Sequence, residues 1–173
     1  MSKVIKVVFV HGTGIFSDTI EAVEELGEII NGDNGVEFVP THCGLIVDDI
    51  FQESLDDGFI GNTIKHYDPK NVRIYDVTID NEDDIERGDA RFKELLGLKY
   101  SYRACIAGGA YTIFGMITPG IEGENDCSGN DTDILRHYGL DINNKDENGE
   151  DVPASNITPN ILIGIISKIG TEE

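Results

Sequence analysis

Thr41-His42-Cys43-Gly44-Leu45-Ile46-Val47-Asp48-Asp49-Ile50-Phe51-Gln52-Glu53-Ser54-Leu55 is the stretch on which the fold turns. Two strand-like runs flank a pair of aspartates, a pattern that predicts an antiparallel hairpin with a two-residue turn. With Asp48-Asp49 as the turn, Val47 pairs with Ile50, Leu45 with Gln52 and Gly44 with Glu53, and His42 falls opposite Leu55. Side chains alternate faces along a strand, so His42, Gly44 and Glu53 share one face. Glu53 is then diagonal to His42, with only the hydrogen of Gly44 between them. A one-residue slip would present Gln52 instead. The same alternation sends Cys43 to the opposite face, as a core residue.

Outward from the hairpin, Val4 to Val10 is β-branched and nearly continuous, which predicts a strand. Asp18 and Glu21 have the spacing of a capping box. They open a predicted helix with Ile20, Val23, Leu26 and Ile30 on one stripe, stopped by Asn31-Gly32. Val36 to Val39 is strand-like. Val72 to Ile79 alternates through Ile74, Asp76 and Thr78, another strand. Glu82 to Leu96 carries Ile85, Phe92, Leu95 and Leu96 at helical spacing, with Gly97 as its stop. Tyr100, Tyr102, Ala104, Ala107 and Ala110 suit a helix broken near Thr118-Pro119-Gly120. A further helix starts at Asp126 or Cys127, carries Ile134, Leu135 and Tyr138, and stops at Gly139. Asp141 to Asp151 is a polar loop, and Thr158-Pro159 opens a last apolar segment, Asn160 to Ile169. Helices and hairpins in irregular order predict an α+β fold, and no linker divides residues 1–173 into more than one domain.

Bulk properties bound the function. A 173-residue chain that is 39% hydrophobic has the means to bury a core without staples. Its net charge of −20, from 33 acids against 13 lysines and arginines, leaves no basic stripe for nucleic acid or an anionic membrane. Asp80 to Glu86 and Asp141 to Asp151 hold much of the excess, as solvated faces. Neither a secretory signal nor a spanning segment is legible, which leads us to expect a soluble, cytoplasmic protein. The three cysteines form neither a disulfide framework nor a zinc pattern, and no cofactor or metal is called for.

Two residues carry the chemistry. Cys127, in the first turn of a helix, meets unpaired N–H groups and the positive end of the dipole, which favour thiolate. Asp126 and Asp131, read as solvated like charges, push the other way, so a base is required. His42 supplies one, and Glu53 can hold its second ring nitrogen and fix the tautomer, as the third member of a triad does. Competing motifs fail. Val10-His11-Gly12-Thr13-Gly14 has no Gly-x-Ser-x-Gly partner and lacks the features of a nucleotide loop. Asn144, Asp146, Asn148 and Gly149 imitate a calcium loop, but Ser155 stands where a bidentate Glu is needed. His66 and His137 have no ligand partner at metal spacing.

The ordered set His42, Glu53, Cys127 and Thr158-Pro159 resembles the circularly permuted NlpC-type papain-like proteins, which include YiiX-like cysteine peptidases and, more distantly, the lecithin:retinol acyltransferases. The likeness runs through Thr41-His42-Cys43-Gly44, Glu53 before Asp57-Gly58, Gly97-Leu98-Lys99-Tyr100, Cys127-Ser128 and the late Thr-Pro, roughly residues 4 to 165. It implies a papain-like antiparallel sheet or small barrel packed with helices. It also implies acyl transfer by Cys127, His42 and Glu53 on cell-wall-type peptides, other amides or lipid esters. Where the family often reads Cys-Ser-Glu-Leu, this chain has Cys127-Ser128-Gly129-Asn130. The rival expectation is a non-catalytic binding or structural module, such as a phage or prophage accessory protein, with a decayed cysteine site.

Overall fold

A computed structural model describes residues 2–12, 38–55, 58–114, 116–117, 126–145 and 148–173. The predicted helix from Asp18 to Ile30, and the break at Thr118-Pro119-Gly120, lie outside these residues. The fold is α+β: a six-stranded antiparallel sheet with four helices among the described residues.

Strand β1 (Lys3–Val10) lies inside the sheet, flanked by β2 (His42–Val47) and β5 (Val72–Ile79). The apolar run Val7-Val8-Phe9-Val10 is buried on both faces, which explains why it shows no alternation. β3 (Ile50–Leu55) follows β2 through the Asp48-Asp49 turn. Both aspartates adopt left-handed backbone, with φ of 51° and 64°, the conformation of a type I′ hairpin whose twist matches the strands it joins. The pairs Val47–Ile50, Leu45–Gln52 and Gly44–Glu53 form in the predicted register. His42 does not pair with Leu55. It pairs with Val10 of β1, while Leu55 turns to Gly58 of β4 (Gly58–Asn62). His42 is therefore the first residue of its strand, free of a β3 partner.

β4 was not legible in the sequence, because two of its five residues are glycine. Gly58 has a φ of +110°, and a Cβ there would stand 2.7 Å from the Leu98 carbonyl. That close approach lets Phe59 and the 97–98 loop exchange hydrogen bonds of 2.8 Å, which cover the open edge of β4. At the other edge, β6 (Thr171–Glu172) pairs with β5. Residues 38 and 39, expected in a strand, are irregular.

Helices α1 (Glu82–Leu95), α3 (Cys127–His137) and α4 (Pro159–Ile169) contribute to the main core, and α2 (Tyr102–Phe114) packs on a 3₁₀ turn, Ala154–Asn156, beside α3. Asn81 caps α1, with Glu82, Asp83 and Asp84 at the positive end of its dipole. Leu96, expected on the apolar stripe of α1, lies past its end and is exposed. Thr158 caps α4, and Pro159 occupies its first turn, where a missing N–H costs nothing. Ile5, Val7, Phe9, Cys43, Leu45 and Phe59 face the helices, together with Ile134, Leu135 and Leu162. Val8, Val10 and Phe51 form a smaller cluster, against which Ile64 and Tyr67 pack. No helix of the described residues is long and apolar enough to cross a membrane.

Candidate functional site

Helix α3 begins where β2 begins. Asp126 is its N-cap, and its carboxylate accepts the Gly129 N–H at 2.7 Å, which closes the first turn. Cys127, the first helical residue, is thereby held against the start of β2 and is only 3% exposed. The helix lies on β2 and β3, anchored by Asn130 Nδ2 donating to Ser54 Oγ at 2.7 Å.

His42 Nε2–H donates to Glu53 Oε2 at 2.7 Å. Cys127 acts on the same ring, by charge and by hydrogen bond. The structure thus brings together all three residues singled out in the sequence, with Glu53 and not Gln52 at the histidine. Gly44 is what permits it. A Cβ at position 44 would stand 2.5 Å from the Gln52 carbonyl and 2.7 Å from the Phe51 ring.

Glu53 is wholly buried and its carboxylate is saturated with donors. Besides His42, Asn62 Nδ2 donates to Oε1 at 2.6 Å and the Tyr67 hydroxyl to Oε2 at 2.6 Å. Burial alone would raise this carboxyl; the hydrogen bonds from His42, Tyr67 and Asn62 outweigh it and hold Glu53 below its usual range, as a carboxylate. Burial likewise pulls the imidazole down, but the Cys127 thiolate and then Glu53 more than reverse it, and His42 is raised to about 10. For Cys127 the largest influence is the Cys43 S–H, which donates to its sulfur. Burial opposes ionisation, and the His42 charge and the Cys43 backbone N–H favour it. The thiol lies well below its ordinary range. Each charge stabilises the other, which favours thiolate and imidazolium.

Two expectations need correction. Asp126 and Asp131 are not solvated: they are 4% and 1% exposed. Burial, reinforced by the Cys127 thiolate, pushes Asp126 up to about 7 against the pull of the Gly129 N–H. Asp131 is raised well above the carboxylate range, chiefly by burial, and neither of its oxygens has a hydrogen-bond partner. Burial thus disfavours the charge on Asp131 and lessens the like-charge penalty its sequence position suggests. Cys43 is buried on the helix face, as alternation requires, yet it is no bystander, because it is among the influences that lower the Cys127 thiol.

Asn62 and Tyr67 escaped the sequence reading. Asn62 stands diagonal to Glu53 on the same face because Glu53 pairs with Ile60, a register that depends on β4 and so gave no sign in the sequence. Tyr67 had none, because a 3₁₀ turn, Ile64–His66, carries it back over the sheet. On the other side of Cys127, the Tyr100 hydroxyl lies 2.7 Å from Cys105 Sγ, and Cys105 is bonded to Asp126. All three cysteines are free.

The remaining candidates stay outside the site. His11 Nδ1 bonds to the Val39 carbonyl at 2.9 Å, and Gly12 N–H to Thr41 Oγ1 at 2.8 Å, so His11-Gly12 braces the chain before β2. His66 is exposed, and His137 pairs with Asp133 on its own helix. Asn144 donates to the Tyr111 hydroxyl. Among the described residues no cluster is arranged to hold a metal ion. A groove lined by Lys3, Asp48, Glu82, Asp89 and Lys93 lies at the Asp48 end of β2, about 17 Å from His42 at roughly 3.4 Å per residue. Compared with known proteins, the chain matches no family model and no curated sequence.

Proposed function

We propose that the protein is a cysteine hydrolase of permuted papain-like type, a peptidase, amidase or esterase with Cys127 as nucleophile, His42 as acid and base, and Glu53 as the orienting carboxylate. The observation that carries the reading is the Glu53–His42–Cys127 set, with the carboxylate at 2.7 Å from Nε2 and His42 favouring the Cys127 thiolate by its charge and by hydrogen bond. Glu53 holds the proton on Nε2 and stabilises the imidazolium, which leaves Nδ1 to exchange a proton at the sulfur side.

In that mechanism the Cys127 thiolate attacks a carbonyl carbon, and the helix N-terminus favours the oxyanion that forms. The His42 imidazolium gives its Nδ1 proton to the departing amine or alcohol, leaving a thioester on Cys127 and a neutral imidazole. The imidazole then takes a proton from water as the oxygen adds to the thioester; collapse releases the acid and restores thiolate and imidazolium. Cell-wall-type peptides, other amides and lipid esters all offer such a carbonyl.

The second reading, a non-catalytic module with a decayed site, is favoured by the near-complete burial of Cys127 and by Gly129 at a position the family often gives to Glu. Small activated esters and peptide amides decide between them. A hydrolase shows an acyl adduct on Cys127 by intact mass and turnover that disappears in Cys127→Ala and His42→Ala. Folded wild-type protein that forms no adduct and turns over nothing moves the assignment to the module.

A further inference from the structure

Residues 63–71 join β4 to β5, and in the sheet those strands are separated by β3, β2 and β1. The connection therefore crosses three strands. It does so on the face away from the main core, where Ile64 and Tyr67 pack against the Val8, Val10 and Phe51 cluster. Two capped 3₁₀ turns stiffen it: Thr63 Oγ1 accepts the Lys65 N–H at the start of Ile64–His66, and the Asp68 carboxylate accepts the Lys70 N–H at the start of Pro69–Asn71. The Asn71 carbonyl accepts the His11 N–H at 2.9 Å, which ties the far end down just past β1. Lys65, His66, Asp68 and Lys70 are exposed, whereas Ile64 and Tyr67, one 3₁₀ turn apart, are turned toward the sheet.

The ring of Tyr67 meets Phe51 edge-on, with centroids 6.4 Å apart, and lies 6.3 Å from the His42 ring. A phenylalanine would make both contacts. The hydroxyl does something a phenyl ring cannot: it donates at 2.6 Å to Glu53 Oε2, the oxygen that also accepts His42 Nε2–H at 2.7 Å. Asn62 Nδ2 holds the other oxygen at 2.6 Å, so donors from three separate segments fix both ends of a carboxylate that is wholly buried.

We propose that Tyr67 is a positioning residue of the site, whose hydroxyl shares Glu53 Oε2 with His42 and so keeps the buried carboxyl charged and aimed at Nε2. The proposal rests on the Glu53–His42 pair of the reading above, and on no step of acyl transfer. A donor to a carboxylate favours its charged form, and burial leaves Glu53 no solvent to replace a lost one. Two donors on one oxygen also divide its charge, so the hydroxyl moderates the bond from the imidazole. The titratable groups bonded to Glu53 are His42 from β2 and Tyr67 itself; Asn62 from β4 is neutral, and β1 contributes Val8 and Val10 on this face. Cys127 acts by charge on both His42 and Tyr67.

Nuclear magnetic resonance of the intact protein tests this without a substrate. Wild type and Tyr67→Phe, the latter checked for folding by circular dichroism, are labelled with ¹⁵N-histidine and ¹³C-carboxyl glutamate. The His42 Nε2–H signal is assigned by its absence in His42→Ala, and the Glu53 carboxyl by its absence in Glu53→Gln. In Tyr67→Phe the Nε2 proton should move to lower field, because Oε2 is left to the imidazole alone, and the Glu53 carboxyl should titrate about 1 to 2 units higher. A hydroxyl that serves packing alone predicts no change in either signal, and that result overturns the proposal. Should Tyr67→Phe fail to fold, the wild type still decides through its ¹³C-labelled Tyr67 phenol. Burial and the Glu53 carboxylate raise it, so it should stay protonated where a free tyrosine, at about 10, ionises. A Tyr67 that ionises like free tyrosine overturns the proposal. The two readings fail separately. Turnover with an unshifted Glu53 sinks only the role of Tyr67; a shifted Glu53 in a protein that hydrolyses nothing sinks only the hydrolase.

Discussion

Replacing His42 by alanine should uncouple the Cys127 thiolate from its cation, and the size of the effect follows from the geometry. The imidazolium favours the thiolate by charge and by hydrogen bond, and the Cys43 S–H favours it as well, so ionisation is impaired and not abolished. An opposite charge at hydrogen-bond range is worth about 1 to 3 pKa units. A thiolate of higher pKa is also more nucleophilic, with a Brønsted slope of about 0.45, so slightly more than half of that shift survives in the rate. Below both titrations His42→Ala should therefore react roughly 4- to 40-fold more slowly with a small thiosulfonate such as methyl methanethiosulfonate. Truncating the ring also opens space at the sulfur. Rates are accordingly compared across pH within each protein, with modification at Cys127 read by mass. Wild type should change less between about pH 6 and 9 than a free thiol does, because its thiol is held well below its ordinary value and His42 loses its proton only around 10. The variant should rise steeply across the window, toward or beyond the free-thiol value of about 8.5. Glu53→Gln should shift the profile less and in the same direction. Superimposable wild-type and His42→Ala profiles, or a wild type that climbs toward 8.5, would refute the ion pair.

Asp126→Asn keeps an acceptor for the Gly129 N–H and removes a carboxyl raised to about 7. Because the folded-state pKa lies above that of the unfolded chain, the wild type loses stability as pH rises from about 4 through 7. Urea unfolding should find the variant gaining on the wild type across that range, and an equal difference at pH 4.5 and 8 would contradict the assignment. Gly88→Ala would improve helix propensity by about 1 kcal/mol on an exposed helix. Here the added carbon would stand 2.0 Å from the Tyr138 ring, so overpacking of about 1 to 3 kcal/mol should reverse the sign, and a stabilised variant would show that α1 and α3 do not pack as described. Asp49→Gly relieves a left-handed aspartate at φ 64° and should raise stability by about 0.5 kcal/mol in the same assay; a loss would argue against the type I′ turn.

Local physics was legible in the sequence, because its partners are neighbours along the chain. Asp48-Asp49 set the turn, the turn set the register, and the register placed Glu53 beside His42 across a glycine that nothing larger could replace. Caps and stops at Asp126, Gly139 and Thr158-Pro159 were readable for the same reason, since each depends on contacts within one helical turn.

What residues 43, 62, 67 and 131 do was decided only when distant elements were brought together. Alternation told Cys43 to face the core, but which residue of the core it would meet depended on α3 landing with its first turn at the start of β2. Asp126 and Asp131 looked like solvent-facing acids because a run of polar residues gives no sign that one side of it will be roofed. Tertiary packing buried them, and burial raised both carboxyls, Asp126 to about 7 and Asp131 well above its ordinary value. Charge state follows solvent exposure, and exposure is a property of the assembled fold: the sequence by itself determined which groups could react, and the tertiary structure decided which of them are ionised when they meet.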